Sequence, residues 1–234
     1  MRKVVGFLFV AALIAAVPAS AQDDKKITVN IAGGPTFVTS SAKEHFGTGG
    51  NFDIGVTFNV TPMVGVMVEY GGNRLGSKDR TINIAPCDGC EATEPTPFTA
   101  HGWVHMFDFN LVLHPAWDGK RAQPYFLAGP GVYYRSANVT TPGVGWIPPY
   151  CDPWWYWCYP GGFVPVENIV GSRSETDFGI NFGAGVNVKL GESNTQFYVE
   201  FRYHYVWGKT YDLPDGTTQS STSQYIPLVF GFKF

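Results

Sequence analysis

Apolar residues recur at every second position over long stretches of this chain. From Phe178 the series is Phe178, Ile180, Phe182, Ala184, Val186, Val188 and Leu190, separated by Gly179, Asn181, Gly183, Gly185, Asn187 and Lys189. After the turn Gly191-Glu192-Ser193-Asn194, Phe197, Val199, Phe201, Tyr203, Tyr205 and Trp207 alternate with Tyr198, Glu200, Arg202 and His204. A third series, Ile226, Leu228, Phe230, Phe232 and Phe234, ends the sequence. Side chains on a strand point to opposite faces with period two, so each stretch reads as a strand with one apolar and one polar face. The apolar rows are bulky and unbroken, whereas the polar rows are rich in glycine and small amides. A soluble sandwich would turn its apolar rows inward and carry Lys, Glu and Thr outside. Bulky rows suit lipid, small polar rows suit the inside of a narrow barrel, and a sheet in lipid must close to leave no unpaired edge.

The same alternation divides the rest of the chain. Strand one is expected at Lys26–Val38, strand two at Asn51–Thr61, strand three at Val64–Leu75, strand four at His101–His114 and strand five at Gln123–Val139. In strand two, Phe52, Ile54, Val56, Phe58 and Val60 oppose Asn51, Asp53, Gly55, Thr57 and Asn59. Strand five is ambiguous, because Tyr125, Leu127 and Gly129 and the alternate set Phe126, Ala128 and Pro130 both make acceptable outer rows. The connections alternate: loops at Thr39–Gly50, Gly76–Ala100, Thr140–Gly171 and Lys209–Ser221, and short turns at Thr61–Met63, Pro115–Ala122 and near Gly191. Bacterial outer-membrane barrels combine an even strand count with short periplasmic turns and longer extracellular loops. The pattern therefore predicts an all-β, eight-stranded antiparallel up-and-down transmembrane β-barrel, with both termini periplasmic.

Composition changes this picture at the N-terminus. Arg2 and Lys3, the apolar run Val4–Val17 and the small residues Ala19-Ser20-Ala21 form a secretory signal too short for a membrane helix. Residues 1–21 are thus expected to be cleaved, leaving 22–234 as one barrel domain exported by a Sec-type route. Removing Arg2 and Lys3 from the 16 Lys and Arg leaves 14 basic against 19 acidic residues, a net charge of −5. With no basic patch, this argues against nucleic acid as a partner. Mean hydropathy of −0.04 fits alternating strands, which hide from hydropathy scans.

Candidate chemistry lies in two places. The inward rows carry Asp53, Glu69, Asp108, Asp177 and Glu200 against Lys189, Arg202 and Lys233, with His204 beside Arg202. The interior of an eight-stranded barrel is only wide enough for side chains to fill it, and unpaired charges there are costly. A lumen network is therefore expected of Asp53, Glu69, Asp108, Lys189, Glu200, Arg202, His204 and Lys233, with Arg202 bridging two carboxylates. It reads as a structural plug; the alternative is a gated, cation-preferring pore.

The second place is the loops. Cys87, Cys90, Cys151 and Cys158 all fall in loops that pass through an oxidising compartment, so disulfides are expected, with three pairings open. Cys87-x-x-Cys90 followed by His101 and His105 imitates a zinc spacing, but four residues along a strand separate the histidines by about 13–14 Å, too far to share an ion. No metal or cofactor is expected. The third loop carries Trp146, Trp154, Trp155, Tyr156 and Trp157 among prolines. These rings are candidates to stack on a surface glycan or pack on a protein, or to form an aromatic girdle at the membrane interface. No Ser/His/acid arrangement can be argued from spacing, so no catalytic residue is assigned and the protein is read as a non-enzyme.

Gln123-Pro124-Tyr125-Phe126-Leu127-Ala128-Gly129-Pro130-Gly131-Val132 resembles the fifth strand of the small outer-membrane β-barrel family that includes OmpA-like and opacity-type proteins. Phe178-Gly179-Ile180-Asn181-Phe182-Gly183-Ala184-Gly185-Val186, with Phe201-Arg202-Tyr203, resembles that family's sixth and seventh strands. The resemblance spans most of the mature chain but covers the barrel alone, without the periplasmic peptidoglycan-binding domain of full-length OmpA. It implies outer-membrane lipid as the surroundings. It also implies that Phe230, Phe232 and Phe234 form the signal read by the barrel-assembly machinery. The expected role is structural or surface-interacting, adhesion-like, in a monomer; the alternative is a narrow passive channel for ions or small solutes.

Overall fold

The structure is a computed structural model that describes residues 26–39, 43, 46–84, 94–115, 121–152, 157–191, 195–212, 216 and 218–234. Its strands are β1 (Ile27–Thr39), β2 (Gly47–Thr61), β3 (Val64–Ile84), β4 (Glu94–Leu113), β5 (Ala122–Ile147), β6 (Tyr150–Asp152), β7 (Trp157–Tyr159), β8 (Gly162–Lys189), β9 (Gln196–Val206), β10 (Thr210–Asp212), β11 (Thr218–Ser220) and β12 (Ser223–Lys233). Eight of them close a barrel in the order β1-β12-β9-β8-β5-β4-β3-β2, each antiparallel to its neighbours. Closure runs through β1 and β12, from Asn30 opposite Lys233 to Thr39 opposite Gln224. β6–β7 and β10–β11 are small separate hairpins.

Closure leaves the apolar rows outside. Phe52, Ile54 and Phe58 of β2, Phe107, Phe109, Leu111 and Leu113 of β4, and Phe178, Ile180 and Phe182 of β8 are all exposed on the barrel wall. So are Phe201 of β9 and Phe230, Phe232 and Phe234 at the C-terminus. An apolar surface of this extent is stable only against lipid or a partner. The other parity is buried: Asp53 and Thr57, Glu69 and Met67, Asp108 and Asn110, Glu200, Arg202 and His204. Strand five is resolved too. Tyr125, Leu127 and Tyr133 are buried, while Phe126, Val132 and Tyr134 face out.

Two of the expected loops are largely strand. In place of a loop at Gly76–Ala100, β3 and β4 stay paired from Lys78 opposite Ala100 to Ile84 opposite Glu94. In place of one at Thr140–Gly171, β5 and β8 pair from Thr140 opposite Ile169 to Ile147 opposite Gly162. The reason is backbone satisfaction: the two stems of each connection pair with one another, so the ladder continues beyond the barrel wall. Each ribbon begins at a register shift, between Leu75 and Lys78 in one and between Val139 and Thr140 in the other. Bulges of this kind bend and twist a sheet and are common at barrel rims. The barrel thus has a tight-turn end, which carries both ends of the described chain, and an opposite, long-hairpin end.

Candidate functional site

Across the middle of the lumen the inward rows of several strands converge on Arg202. Its guanidinium pairs with Glu200 of its own strand, where Nε donates to Oε1 at 2.7 Å, and with Glu69 of β3. Asp108 of β4 lies 3.8 Å from Arg202 Nη1 and 3.9 Å from His204 Nδ1. The second oxygens of the two glutamates are used as well: Asn30 donates to Glu69 at 3.1 Å and Tyr125 to Glu200 at 2.7 Å. Tyr133 shares a 3.0 Å hydrogen bond with His204, whose ring stacks on Tyr225 at 4.7 Å. Saturating both partners is what makes a buried ion pair tolerable.

Glycine gives this layer its room. A Cβ on Gly131 would meet the Asp108 carboxylate and lie 2.8 Å from Tyr133 Oη. One on Gly185 would lie 2.6 Å from Tyr125 Oη. The glycines of the inward rows therefore admit the carboxylates and tyrosines of their neighbours.

Apolar clusters flank the charged layer along the barrel axis. Toward the tight-turn end lies an apolar cluster of Met67, Val112, Tyr125, Leu127, Tyr198 and Val229. Toward the long-hairpin end lies a second, Val104, Met106, Tyr133, Val206 and Tyr225. Of the residues assigned to the network from sequence, Glu69, Asp108, Glu200, Arg202 and His204 are drawn together. Asp53 is buried nearby with one carboxylate oxygen unpartnered. Lys233 is a layer lower, its ammonium 3.9 Å from the Tyr125 ring centroid and 4.6 Å from that of Tyr198. Lys189 departs from the expectation: it ends β8 and is exposed at the tight-turn rim, because its strand runs out before the lumen closes over it.

A second charged group lies at the long-hairpin mouth; the sequence placed Asp177 inward but not its partner Arg135, nor Glu175 and Arg173. Arg135 of β5 pairs with Asp177 and, at 3.5 Å, with Glu175 of β8, and donates to Ser223 at 3.0 Å. Arg173 reaches Glu175 at 3.0 Å and lies 3.8 Å above the ring of Tyr211, which itself donates to Glu175. Burial would raise the Glu175 carboxyl. The hydrogen bonds from Tyr211 and Arg173 and the charges of Arg173 and Arg135 outweigh it and hold the group below its ordinary range. The available signal was the parity of Arg135, which stayed hidden while the face of strand five was open.

Outside, an aromatic band crosses four strands at the upper edge of the apolar belt. Phe52 meets Tyr70 at 6.0 Å, and His105 stacks on Tyr70 at 6.2 Å and on Trp103 at 6.0 Å, with Tyr134 at 6.4 Å. Tyr70 and His105 share a 2.9 Å hydrogen bond. His101, four residues before His105 on β4, pairs instead with Glu167 at 3.3 Å. Among the described residues no group of three or more His, Cys, Asp or Glu could hold a metal.

Of the loop residues, Trp146 is 61% exposed on the β5–β8 ribbon and meets Phe163 edge-on at 5.2 Å. Cys151 and Cys158 form a disulfide across the β6–β7 hairpin. The backbone of Trp157 belongs to β7. Trp154, Trp155, Tyr156, Cys87 and Cys90 lie outside the described residues, as do residues 1–21, where a signal segment is expected.

A closed antiparallel barrel with an apolar outer wall and a filled polar interior is an integral membrane protein that crosses lipid with strands. The chain belongs to the outer membrane protein β-barrel domain family, whose model matches residues 7–234, and it is accordingly an outer-membrane protein. Among solved structures it is similar to Neisserial surface protein A, at 15% identity over 89% of this chain and 96% of that one, with a TM-score of 0.49. OprG from Pseudomonas aeruginosa matches at 12% identity over 92% and 99% of the two chains, TM-score 0.48. Ail of Yersinia pestis matches at 12% over 89% and 97%, TM-score 0.43. No curated protein matches the chain. The family rests on the domain match and the fold on this chain's own strand pairing.

Proposed function

We propose that this protein is a structural and surface-interacting outer-membrane barrel whose lumen is plugged. The observation that carries the reading is the Arg202 layer. It ties β9 to β3 across the barrel and has an apolar cluster on either side along the axis, which supports a plug. The long hairpins face the cell exterior and the termini the periplasm, a placement supported by the contrast between tight turns and long ribbons. Contact with a surface glycan or protein falls to the ribbons, where Trp146 and Phe163 present exposed rings. Catalysis has no part in this role. Residues 1–21 direct export and are removed, and the assembly machinery engages Phe230, Phe232 and Phe234 of the last strand of a monomer.

The test is conductance. Protein purified in detergent and inserted in planar bilayers should show no steady openings, while a parallel screen against glycans and surface proteins should return binding that Trp146→Ala weakens. Large, steady openings would overturn the plug. The second reading, a narrow channel, is favoured by one observation. Four buried carboxylates, Asp53, Glu69, Asp108 and Glu200, surround one buried cation, Arg202, with Lys233 a layer lower, so any path through this layer would prefer cations.

A further inference from the structure

Above the Arg202 layer, at the long-hairpin mouth, the barrel holds a cavity of about 230 Å³. We infer that it is a binding site for a small, uncharged, mostly apolar molecule. The inference rests on the mouth itself and stands whether or not the lumen below conducts.

The floor is apolar. Val38, Leu75, Val104 and Tyr225 line it, and Val104 and Tyr225 belong to the upper apolar cluster. One wall is the ring of Phe46, which precedes β2. It can lie there because residue 102 is glycine: a Cβ on Gly102 would sit 2.8 Å from the Phe46 ring and 3.1 Å from Leu75. The size is below the roughly 300–1,000 Å³ of drug-sized pockets, so the occupant is a molecule of about ten heavy atoms.

The charges at the rim decide the sign. Arg135 and Arg173 are matched by Asp177 and Glu175, each cation paired to a carboxylate. Among the described residues that line it, the mouth therefore offers no uncompensated charge, and an ionic ligand would lose its water without gaining a partner. Tyr211, carried by the β10–β11 hairpin, bonds Glu175 and so holds that hairpin against the same rim.

Acetophenone, with a benzoate arm and a benzamidinium arm, tests this chemistry. Val104→Cys and Ala137→Cys place a thiol in the cavity, and Phe107→Cys places one on the lipid face. Each is made with Cys87→Ser and Cys90→Ser so that N-ethylmaleimide reports the new thiol. Folding of each in nanodiscs is checked by heat-modifiable migration. Millimolar acetophenone should slow labelling at Val104→Cys or Ala137→Cys at least threefold, leave Phe107→Cys unchanged, and have no counterpart with benzoate or benzamidinium. The inference fails if neither cavity thiol is protected, if the charged analogues protect equally, or if Phe107→Cys is slowed to the same degree. Ala137→Cys decides the matter should Val104→Cys not fold.

Discussion

Arg202 and Glu69, 133 positions apart in sequence, are joined by an ion pair that crosses the barrel from one wall to the one diametrically opposite. In the ring of eight strands, β9 and β3 are separated by three strands on either side. A single guanidinium spans that distance only because glycines line the walls and Glu200 supports its other edge.

Breaking this pair should be expensive. Replacing Arg202 by Met leaves Glu69 and Glu200 buried without their cation, a loss on the order of 3–5 kcal/mol. Urea unfolding followed by tryptophan fluorescence should show it. Adding Glu69→Gln and Glu200→Gln to Arg202→Met should recover part of the loss, since the stranded charges are then gone; a triple variant less stable than Arg202→Met would contradict this account.

The outer wall makes an independent prediction. Phe109 lies midway along the apolar stretch of β4 between Trp103 and Leu113 and is exposed. Phe109→Arg should cost about 2–4 kcal/mol in a bilayer, the range for a cation at mid-depth on a lipid face. Val144→Arg, on the β5–β8 ribbon where Val144 is 74% exposed, should change stability by less than about 0.5 kcal/mol. Equal effects at the two sites would mean that the apolar rows do not meet lipid.

The Cys151–Cys158 disulfide closes a short hairpin well beyond the barrel rim. Since β5 and β8 remain paired from Ile147 opposite Gly162 downward, reduction should loosen only the tip. Heat-modifiable migration and the urea midpoint should be unchanged in Cys151→Ser with Cys158→Ser, while protease cleavage within 148–161 becomes faster.

Acid should release the β10–β11 hairpin. The Glu175 carboxyl is held below its ordinary range in the folded protein, so its contribution is complete above the unfolded value of about 4.3 and is lost as pH falls through the lower folded value. Arg135, Arg173, Tyr211 and Ser221 are the groups that face it. Amide exchange over 210–220 should accelerate as the medium is acidified through this window. In Glu175→Gln it should be fast already at neutral pH and flat across the window.

The sequence by itself determined which side chains share a face. Period two is a property of the extended backbone, so Phe52, Ile54 and Phe58 had to part from Asp53 and Thr57, and Glu200, Arg202 and His204 had to lie together. Alternating tight turns and longer connections carried the strand count. Where two rows are equally acceptable outside, as in strand five, the local pattern is silent; pairing of β5 with β4 and β8 put Tyr125, Tyr133 and Arg135 inward. Only the tertiary structure decided how the inward charges divide. Which carboxylate meets Arg202, why Lys189 stays at the rim, and how Arg135 finds Asp177 depend on strand stagger, a relation between segments that no local spacing encodes. The ribbons beyond the rim follow the same logic, since their stems hold together by pairing with each other and show little alternation of their own.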